Sequence, residues 1–112
     1  MKTLQLRADF LRAAQGKRQG TGGFLLQARP RDDGAVLVRV GYTASKKIGN
    51  AVMRNRAKRR MRALAREVLA GQGKPGWDYV LVARPQVTVT RDYTDLLTDL
   101  KFALKRLHGA PE

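Results

Sequence analysis

The most diagnostic part of this 112-residue sequence reads Ser45-Lys46-Lys47-Ile48-Gly49-Asn50-Ala51-Val52-Met53-Arg54-Asn55-Arg56, and the basic pair Lys58-Arg59 comes soon after it. Eight basic residues lie between Lys46 and Arg62, and no acidic residue occurs from Gly34 to Arg66. Solvated protein surfaces normally mix charges of both signs. We therefore interpret this one-signed segment as a binding surface for a phosphate backbone or for an anionic membrane.

The region from about Asn50 to Ala70 is predicted to form one long helix. On a helical wheel with about 100° per residue, its apolar residues form a narrow stripe that can dock on a sheet, namely Met53, Ala57, Met61, Leu64 and Val68. The stripe is too thin for a membrane-surface helix, which carries large apolar residues opposite its charge. Arginine outnumbers lysine six to one between Arg54 and Arg66, which suits bidentate contacts with phosphate. Nucleic acid is the expected partner, and a merely solvated basic face is the remaining alternative.

The net charge of +14 comes entirely from the first part of the chain. Residues 1–66 hold 17 basic and three acidic residues, whereas residues 67–112 hold six of each. A charge this high predicts strong, salt-sensitive attraction to polyanions. With 43% hydrophobic residues, the chain is expected to fold as one domain, residues 1–112, around one modest core.

Composition also disfavours several classes of protein. No apolar run of about 18 residues exists, so no membrane-spanning helix is expected, and the N-terminus lacks the apolar region of a secretory signal. Cysteine is absent, which excludes disulfides and fits a cytoplasmic protein. The single histidine, His108, is interpreted as a solvated residue at a helix end.

The sequence offers no catalytic constellation for a protein nuclease. Such enzymes usually need paired histidines, or clustered carboxylates that hold metal ions. The only adjacent carboxylates, Asp32 and Asp33, are expected in a turn. We therefore assign no catalytic side chain and no metal site.

The remaining elements follow from hydrophobic periodicity. The predicted elements, apart from the long helix, are a helix over residues 4–14, strands over 24–29, 36–43 and 79–83, and a helix over about 93–107. Turn chemistry at Asp32-Asp33-Gly34 predicts that the first two strands pair as a hairpin. Gly109 and Pro111 are expected to end the last helix, and Gly71 the long one.

The run Ser45–Arg56, with the basic pair after it, resembles the hallmark of the bacterial ribonuclease P protein subunit. The match is long and residue-specific, unlike a generic basic patch. The rest of the chain is compatible with that family from about Leu6 to Leu107, and Phe10, Phe24 and Asp78 fall where the family has such residues.

The resemblance implies a fold. It is an α/β (α+β) two-layer sandwich ordered αβββαβα, with a central mixed sheet and a left-handed βαβ crossover, against the usual right-handed rule. The periodicity matches this order once a short extra strand is allowed near Gly20 to Gly23.

The resemblance also implies a function. In that family a large RNA subunit is the catalyst and removes the 5′ leader of precursor tRNA with Mg²⁺. The protein binds the RNA and the leader and assists metal binding. The implied partners are thus the catalytic RNA and precursor tRNA, and the implied cofactor is Mg²⁺, bound mainly by the RNA subunit.

Carried over by position, nine residues would contact the catalytic RNA and phosphates near the cleavage site: Lys46, Lys47, Asn50, Arg54, Asn55, Arg56, Lys58, Arg59 and Arg62. A cleft between the first helix and the sheet would hold the single-stranded leader, with Phe10, Phe24 and Tyr42 as candidates for stacking on unpaired bases. For Phe10, core packing is an equally open interpretation. Ala14 and Gln27 stand where the family often has aromatics, which predicts more polar or weaker leader contacts.

One function from a different class stays open, a non-catalytic ribosomal or nucleoid-type protein that binds RNA or DNA. Incubating the chain alone, and then with the large RNA and precursor tRNA, separates the two functions.

Overall fold

A computed structural model of the chain describes residues 1–109. Its strands are β1 Lys2–Thr3, β2 Lys17–Gly20, β3 Phe24–Pro30, β4 Arg39–Thr43 and β5 Trp77–Ala83. Its α-helices are α1 Arg7–Ala14, α2 Ala51–Leu64, α3 Ala70–Gln72, α4 Val87–Thr90 and α5 Tyr93–His108. A π-helical segment, Ala65–Leu69, joins α2 directly to α3, so the long helix continues past Gly71. None of the described helices is both long and apolar enough to cross a membrane.

The five strands form one mixed sheet in the order β1-β4-β5-β3-β2. Strand β5 is central: it pairs parallel with β4 and antiparallel with β3. Two adjacent residues of β5, Val80 and Leu81, point to opposite faces of the sheet, and both are buried. A strand covered on both faces needs an almost continuous apolar run, which explains why β5 lacks the alternation of a half-exposed strand.

The predicted hairpin between β3 and β4 is wrong, because β5 lies between them. Val80 is paired with Gln27 on one side and with Gly41 on the other. The predicted turn chemistry is nevertheless present, since Asp32 and Gly34 have φ angles of 56° and 78°. A turn reverses the direction of the chain, but it does not determine which strand pairs with which. Here the pairing is determined by β5, which is buried on both faces and lies between β3 and β4.

The main core lies on one face of the sheet, under α2 and α5, and this sandwich of sheet and helices confirms the predicted fold class. The later part of the apolar stripe is buried there, with Met61 and Leu64 fully inaccessible. Burying one such large side chain stabilises the fold by roughly 1.5–3 kcal/mol. Ala57 is equally inaccessible, but it packs in a separate small cluster with Ile48 and Val89. Helix α1 covers the opposite face with a smaller cluster. The expected βαβ unit is present as β4, α2 and β5; its left-handed sense stays a prediction.

A buried carboxylate ties three strands together at the amino end of β5. Asp78 is fully buried and accepts hydrogen bonds from Arg31 Nη1 at 2.9 Å and from Arg39 Nε and Nη2 at 2.8 and 2.7 Å. Arg29 lies 3.5 Å from the same carboxylate. Burial raises the pKa of Asp78, but the hydrogen bonds from Arg39 and Arg31 outweigh it and hold that pKa below its ordinary value.

The extra strand expected near Gly20 to Gly23 lies earlier, as β2 at Lys17–Gly20. Two other short elements, β1 and α4, were not predicted from the sequence. Strand β1 is only two residues long and pairs parallel with β4. Helix α4 depends on tertiary contacts, because the buried hydroxyl of Thr88 donates to the carbonyl of Gly23 and accepts from the backbone N–H of Arg84. Neither element has a periodicity long enough to detect.

The carboxyl end of α5 corrects one prediction and supports another. His108 is not a fully solvated residue: its Nε2 lies 2.7 Å from the Tyr79 hydroxyl, and its ring packs edge-on against Trp77 at 4.5 Å. Gly109 ends the helix in the left-handed conformation, with φ of 60°. Pro111 lies outside the described residues.

Candidate nucleic-acid interface

The basic segment begins where β4 ends. A 3-10 turn, Lys46–Ile48, leads to Gly49, whose φ of 136° is a backbone conformation that residues with side chains rarely adopt. Asn50 then caps α2, because its Oδ1 accepts the backbone N–H of Met53 at 3.0 Å. Parallel strands β4 and β5 both end at this edge of the sheet. The turn and the first part of α2 therefore project from one end of the molecule.

The predicted RNA-contacting side chains are brought together on this turn and helix and are accessible. Lys46, Lys47, Asn50, Asn55, Arg56, Arg59 and Arg62 are exposed, and Arg54 and Lys58 are half-buried. Within residues 1–109, none of their ammonium or guanidinium groups forms a salt bridge to a carboxylate. This leaves a concentrated positive surface without internal neutralisation.

The basic residues occupy two flanks of α2. On one flank, the guanidinium of Arg62 lies over the ring of Tyr42, a residue of β4. On the other flank, Arg56 borders a groove of about 490 Å³ between α2 and the segment that holds α4. The two flanks offer separate contact surfaces to a wide partner such as a folded RNA.

Arg60 differs from its basic neighbours. Its guanidinium donates to three backbone carbonyls, those of Thr88, Val89 and Arg91. These bonds hold α4 against α2, and they leave few N–H groups of the Arg60 guanidinium free to bind phosphate. The sequence already places Arg60 beside the apolar stripe of α2, and this position is the signal that distinguishes it from the exposed basic residues.

Phe10 lies on the face of the sheet opposite α2. It is half-buried and packs beside Leu4, Val80 and Val82. Its ring rests on Gly41, where an added Cβ would stand only 2.5 Å from the ring's Cε1 atom. Gly41 is thus a structural requirement that the sequence analysis missed; a glycine inside a strand was the available signal.

The structure does not unite the three aromatics proposed for a leader cleft. Phe24 has no exposed surface and lies in the main core, so it cannot present its ring to a base, and its assignment is wrong. Tyr42 packs against that same core under α2, on the other face of the sheet from Phe10. Of the three, only Phe10 has both partial exposure and a position between α1 and the sheet.

The donor chemistry of the interface does not suit a divalent cation. Mg²⁺ prefers oxygen ligands, mainly carboxylates and phosphates, whereas this surface presents ammonium and guanidinium groups. Across the described chain, His, Asp and Glu nowhere gather in threes around a possible metal position. The surface is suited to anions, above all to phosphate oxygens arranged along a chain.

Comparison with known proteins agrees with this geometry. The sequence model of the family described as "Ribonuclease P" matches residues 1–108. The chain is 56% identical over 110 residues to the ribonuclease P protein component of Ruegeria pomeroyi, covering 97% of this chain and 88% of the relative. It is 50% identical over 101 residues to that of Caulobacter vibrioides, covering 90% and 67%.

Solved structures show the same likeness. The ribonuclease P protein from Thermotoga maritima superposes with a TM-score of 0.78 at 29% identity, covering 95% of this chain and 97% of that one. The Staphylococcus aureus protein superposes with a TM-score of 0.76 at 25% identity, covering 95% and 94%. On the family match, the relatives and the shared fold, this chain belongs to the ribonuclease P protein component family.

Proposed function

We propose that this chain is the protein subunit of a ribonuclease P, and that it binds the catalytic RNA through the turn Lys46–Ile48 and the exposed side of α2. One observation carries the proposal: a family-specific run of basic residues lies along one turn and helix, and within residues 1–109 no carboxylate forms a salt bridge to it. The like-charged row Arg54, Lys58 and Arg62 costs roughly a few tenths of a kcal/mol per pair in the free protein. Bound phosphates would convert that repulsion into attraction.

We propose further that the single-stranded 5′ leader of precursor tRNA lies between α1 and the sheet. The half-buried ring of Phe10 supports this, because aromatic faces stack on unpaired bases. Gln27 lies on the same face as Phe10, since it is paired with Val80. An amide there favours polar leader contacts over a second stacking platform.

In this proposal the RNA performs the cleavage and holds Mg²⁺, and the chain supplies binding and positioning. The charged groups of the interface are not ligands for Mg²⁺, so we propose that its help with the metal is indirect, by drawing RNA phosphates into place. The cytoplasmic location expected from the lack of cysteine stays a prediction.

The test compares the chain alone with the reconstituted complex. The purified chain should leave precursor tRNA intact at any Mg²⁺ concentration, and should lower the Mg²⁺ concentration that its cognate RNA needs for half-maximal cleavage. Metal-dependent cleavage by the RNA-free chain would contradict the division of roles. Binding of duplex DNA as tight as that of the catalytic RNA, with no effect on cleavage, would favour the nucleoid-type alternative.

A further inference from the structure

A second basic pocket lies at the end of the molecule away from the start of α2. Its volume is about 370 Å³, and its lining consists of Gln72, Lys74, Lys101, Leu104, Lys105 and His108. These residues come from the end of α3 and the loop that follows it, and from α5, so the fold brings two distant parts of the chain together. Among residues 1–109, no carboxylate lines the pocket.

The charges in this pocket are not neutralised within the described chain. The salt bridges of residues 1–109 involve none of Lys74, Lys101 and Lys105. Lys101 and Lys105 are four residues apart on α5, where like charges repel. An anion held between the lysines would relieve that repulsion.

The histidine of the pocket contacts the Tyr79 hydroxyl and lies near two lysines. The Tyr79 hydroxyl accepts the backbone N–H of Lys74 at 2.8 Å, so its own proton is available to His108 Nε2. Burial, and then the charges of Lys74 and Lys17, lower the pKa of His108. The ring therefore senses a positive potential, which a bound anion would reduce.

The alternative explanation is that these lysines only stabilise helix ends. Cations near a helix carboxyl terminus interact favourably with its dipole, and Lys17 does donate to the carbonyl of Leu107 at 3.2 Å. The three pocket lysines form no such hydrogen bond among the side-chain bonds of the described residues. Their convergence from separate elements is not explained by the dipole of α5 alone.

We propose that this pocket binds a phosphate group of the RNA backbone and forms a second contact with the catalytic RNA, distinct from α2. The inference rests on the proposed function, since it assumes that the chain binds that RNA. Strand β5 runs from Trp77 beside the pocket to Ala83 near the basic turn. At about 3.3 Å per residue, the two contacts are separated by roughly 20 Å, a span that a large folded RNA bridges and a free phosphate does not.

The first test measures the salt dependence of binding to the catalytic RNA. In the double variant Lys101→Gln/Lys105→Gln, the slope of log K against log salt should fall by about one for each phosphate that the pocket no longer binds. The matched control Lys2→Gln/Arg106→Gln removes the same charge from exposed positions outside the pocket and should keep the wild-type slope. Equal slopes in both double variants would overturn the proposal, as would a lowered melting temperature with an unchanged slope. Failure of the unmodified chain to bind the RNA would instead overturn the proposed function.

The second test uses two built-in reporters, because Trp77 and His108 are the only tryptophan and the only histidine of the chain. Adding the catalytic RNA should change Trp77 fluorescence in the unmodified chain and not in the Lys101→Gln/Lys105→Gln variant. Inorganic phosphate alone should raise the pKa of His108 in a nuclear magnetic resonance titration. A response to phosphate without any response to RNA would mean that the pocket takes only free anions, and would overturn the RNA contact.

Discussion

The guanidinium carbon of Arg62 lies 5.4 Å from the centroid of the Tyr42 ring, which places a basic residue of α2 directly over a residue of β4. Cation–π contacts of this kind are worth roughly 0.5–1 kcal/mol at exposed sites. Burial raises the pKa of the Tyr42 hydroxyl, and the charges of Arg62 and Arg66 partly oppose that rise. Tyr42 thus lies beneath a basic residue of α2, on the opposite face of the sheet from Phe10.

This relationship predicts how Tyr42 variants behave. Tyr42→Leu should weaken binding of the catalytic RNA, whereas Tyr42→Phe, which keeps the ring, should not. In a double-mutant cycle with Arg62→Ala, the coupling should be roughly 0.5–1 kcal/mol. In the reconstituted complex, precursor and mature tRNA should be affected alike. A loss confined to precursor tRNA would return Tyr42 to the leader cleft.

The proposed RNA contacts predict a change in salt dependence. Arg54→Ala, Arg56→Ala and Lys58→Ala should each reduce the slope of log K against log salt by roughly one, because each removes a direct phosphate contact. Lys2→Ala, an exposed lysine on β1, serves as the control and should change little. If the control shifts the slope equally, binding follows net charge and not a defined surface.

Arg60 should behave unlike the residues on either side of it. Arg60→Ala removes hydrogen bonds from a charged donor to three carbonyls, and bonds to charged groups contribute roughly 1.5–3 kcal/mol. We expect urea denaturation to show a loss of about 2 kcal/mol in the free energy of unfolding, with the RNA salt slope near that of the unmodified chain. Arg59→Ala, at an exposed position, should show the opposite pattern. Its free energy of unfolding should stay near that of the unmodified chain, and the slope of log K against log salt should fall.

Phe10→Ala separates leader binding from core packing. If Phe10 stacks on a base, the variant should weaken precursor tRNA binding by roughly 1–3 kcal/mol and leave mature tRNA almost unaffected. If Phe10 only fills the core, the substitution should cost roughly 3–5 kcal/mol of stability, and both tRNA forms should suffer together. Binding must be measured in the reconstituted complex, beside a thermal unfolding curve of the variant.

The buried carboxylate of Asp78 leads us to expect that the protein loses stability at acid pH. Its pKa in the folded state lies below its ordinary value of 3.8. Its contribution is therefore fully present above about pH 3.8 and is lost as the pH falls below that value, through the folded-state pKa. Asp78→Asn should cost roughly 3–5 kcal/mol at pH 7, because it leaves buried arginine charge without its partner. The variant Asp32→Asn, at an exposed position in a turn, provides the control. If both variants lose the same free energy of unfolding, the buried hydrogen bonds of Asp78 do not stabilise the fold as we expect.

The sequence best predicted the features that depend on neighbouring residues, such as helix starts and the spacing of apolar side chains. Asn50 caps α2 at the position where the long helix was predicted to begin, and the apolar stripe through Met61 docks on the sheet as its spacing predicted. Pairing of strands is a long-range choice, so turn residues at Asp32 suggested a hairpin that the doubly buried β5 prevents. The alternation along β4 is also a local signal, and Val38, Val40 and Tyr42, which it groups on one face, all pack in or against the main core. The role of Gly41 became visible only once Phe10 was seen to lie on it.

The central position of β5 also governs the order in which the molecule can be assembled. Strands β3 and β4 meet only through residues 77–83, which are synthesised after the whole of α2. A growing chain thus carries its full net positive charge before β5 is available to join β3 and β4 into one sheet. Loop closure across so many residues makes such folding slow relative to local helix formation. An emerging or truncated chain that ends before Trp77 should attract any polyanion indiscriminately, and we expect any discrimination between RNA partners to arise only in the final third of synthesis.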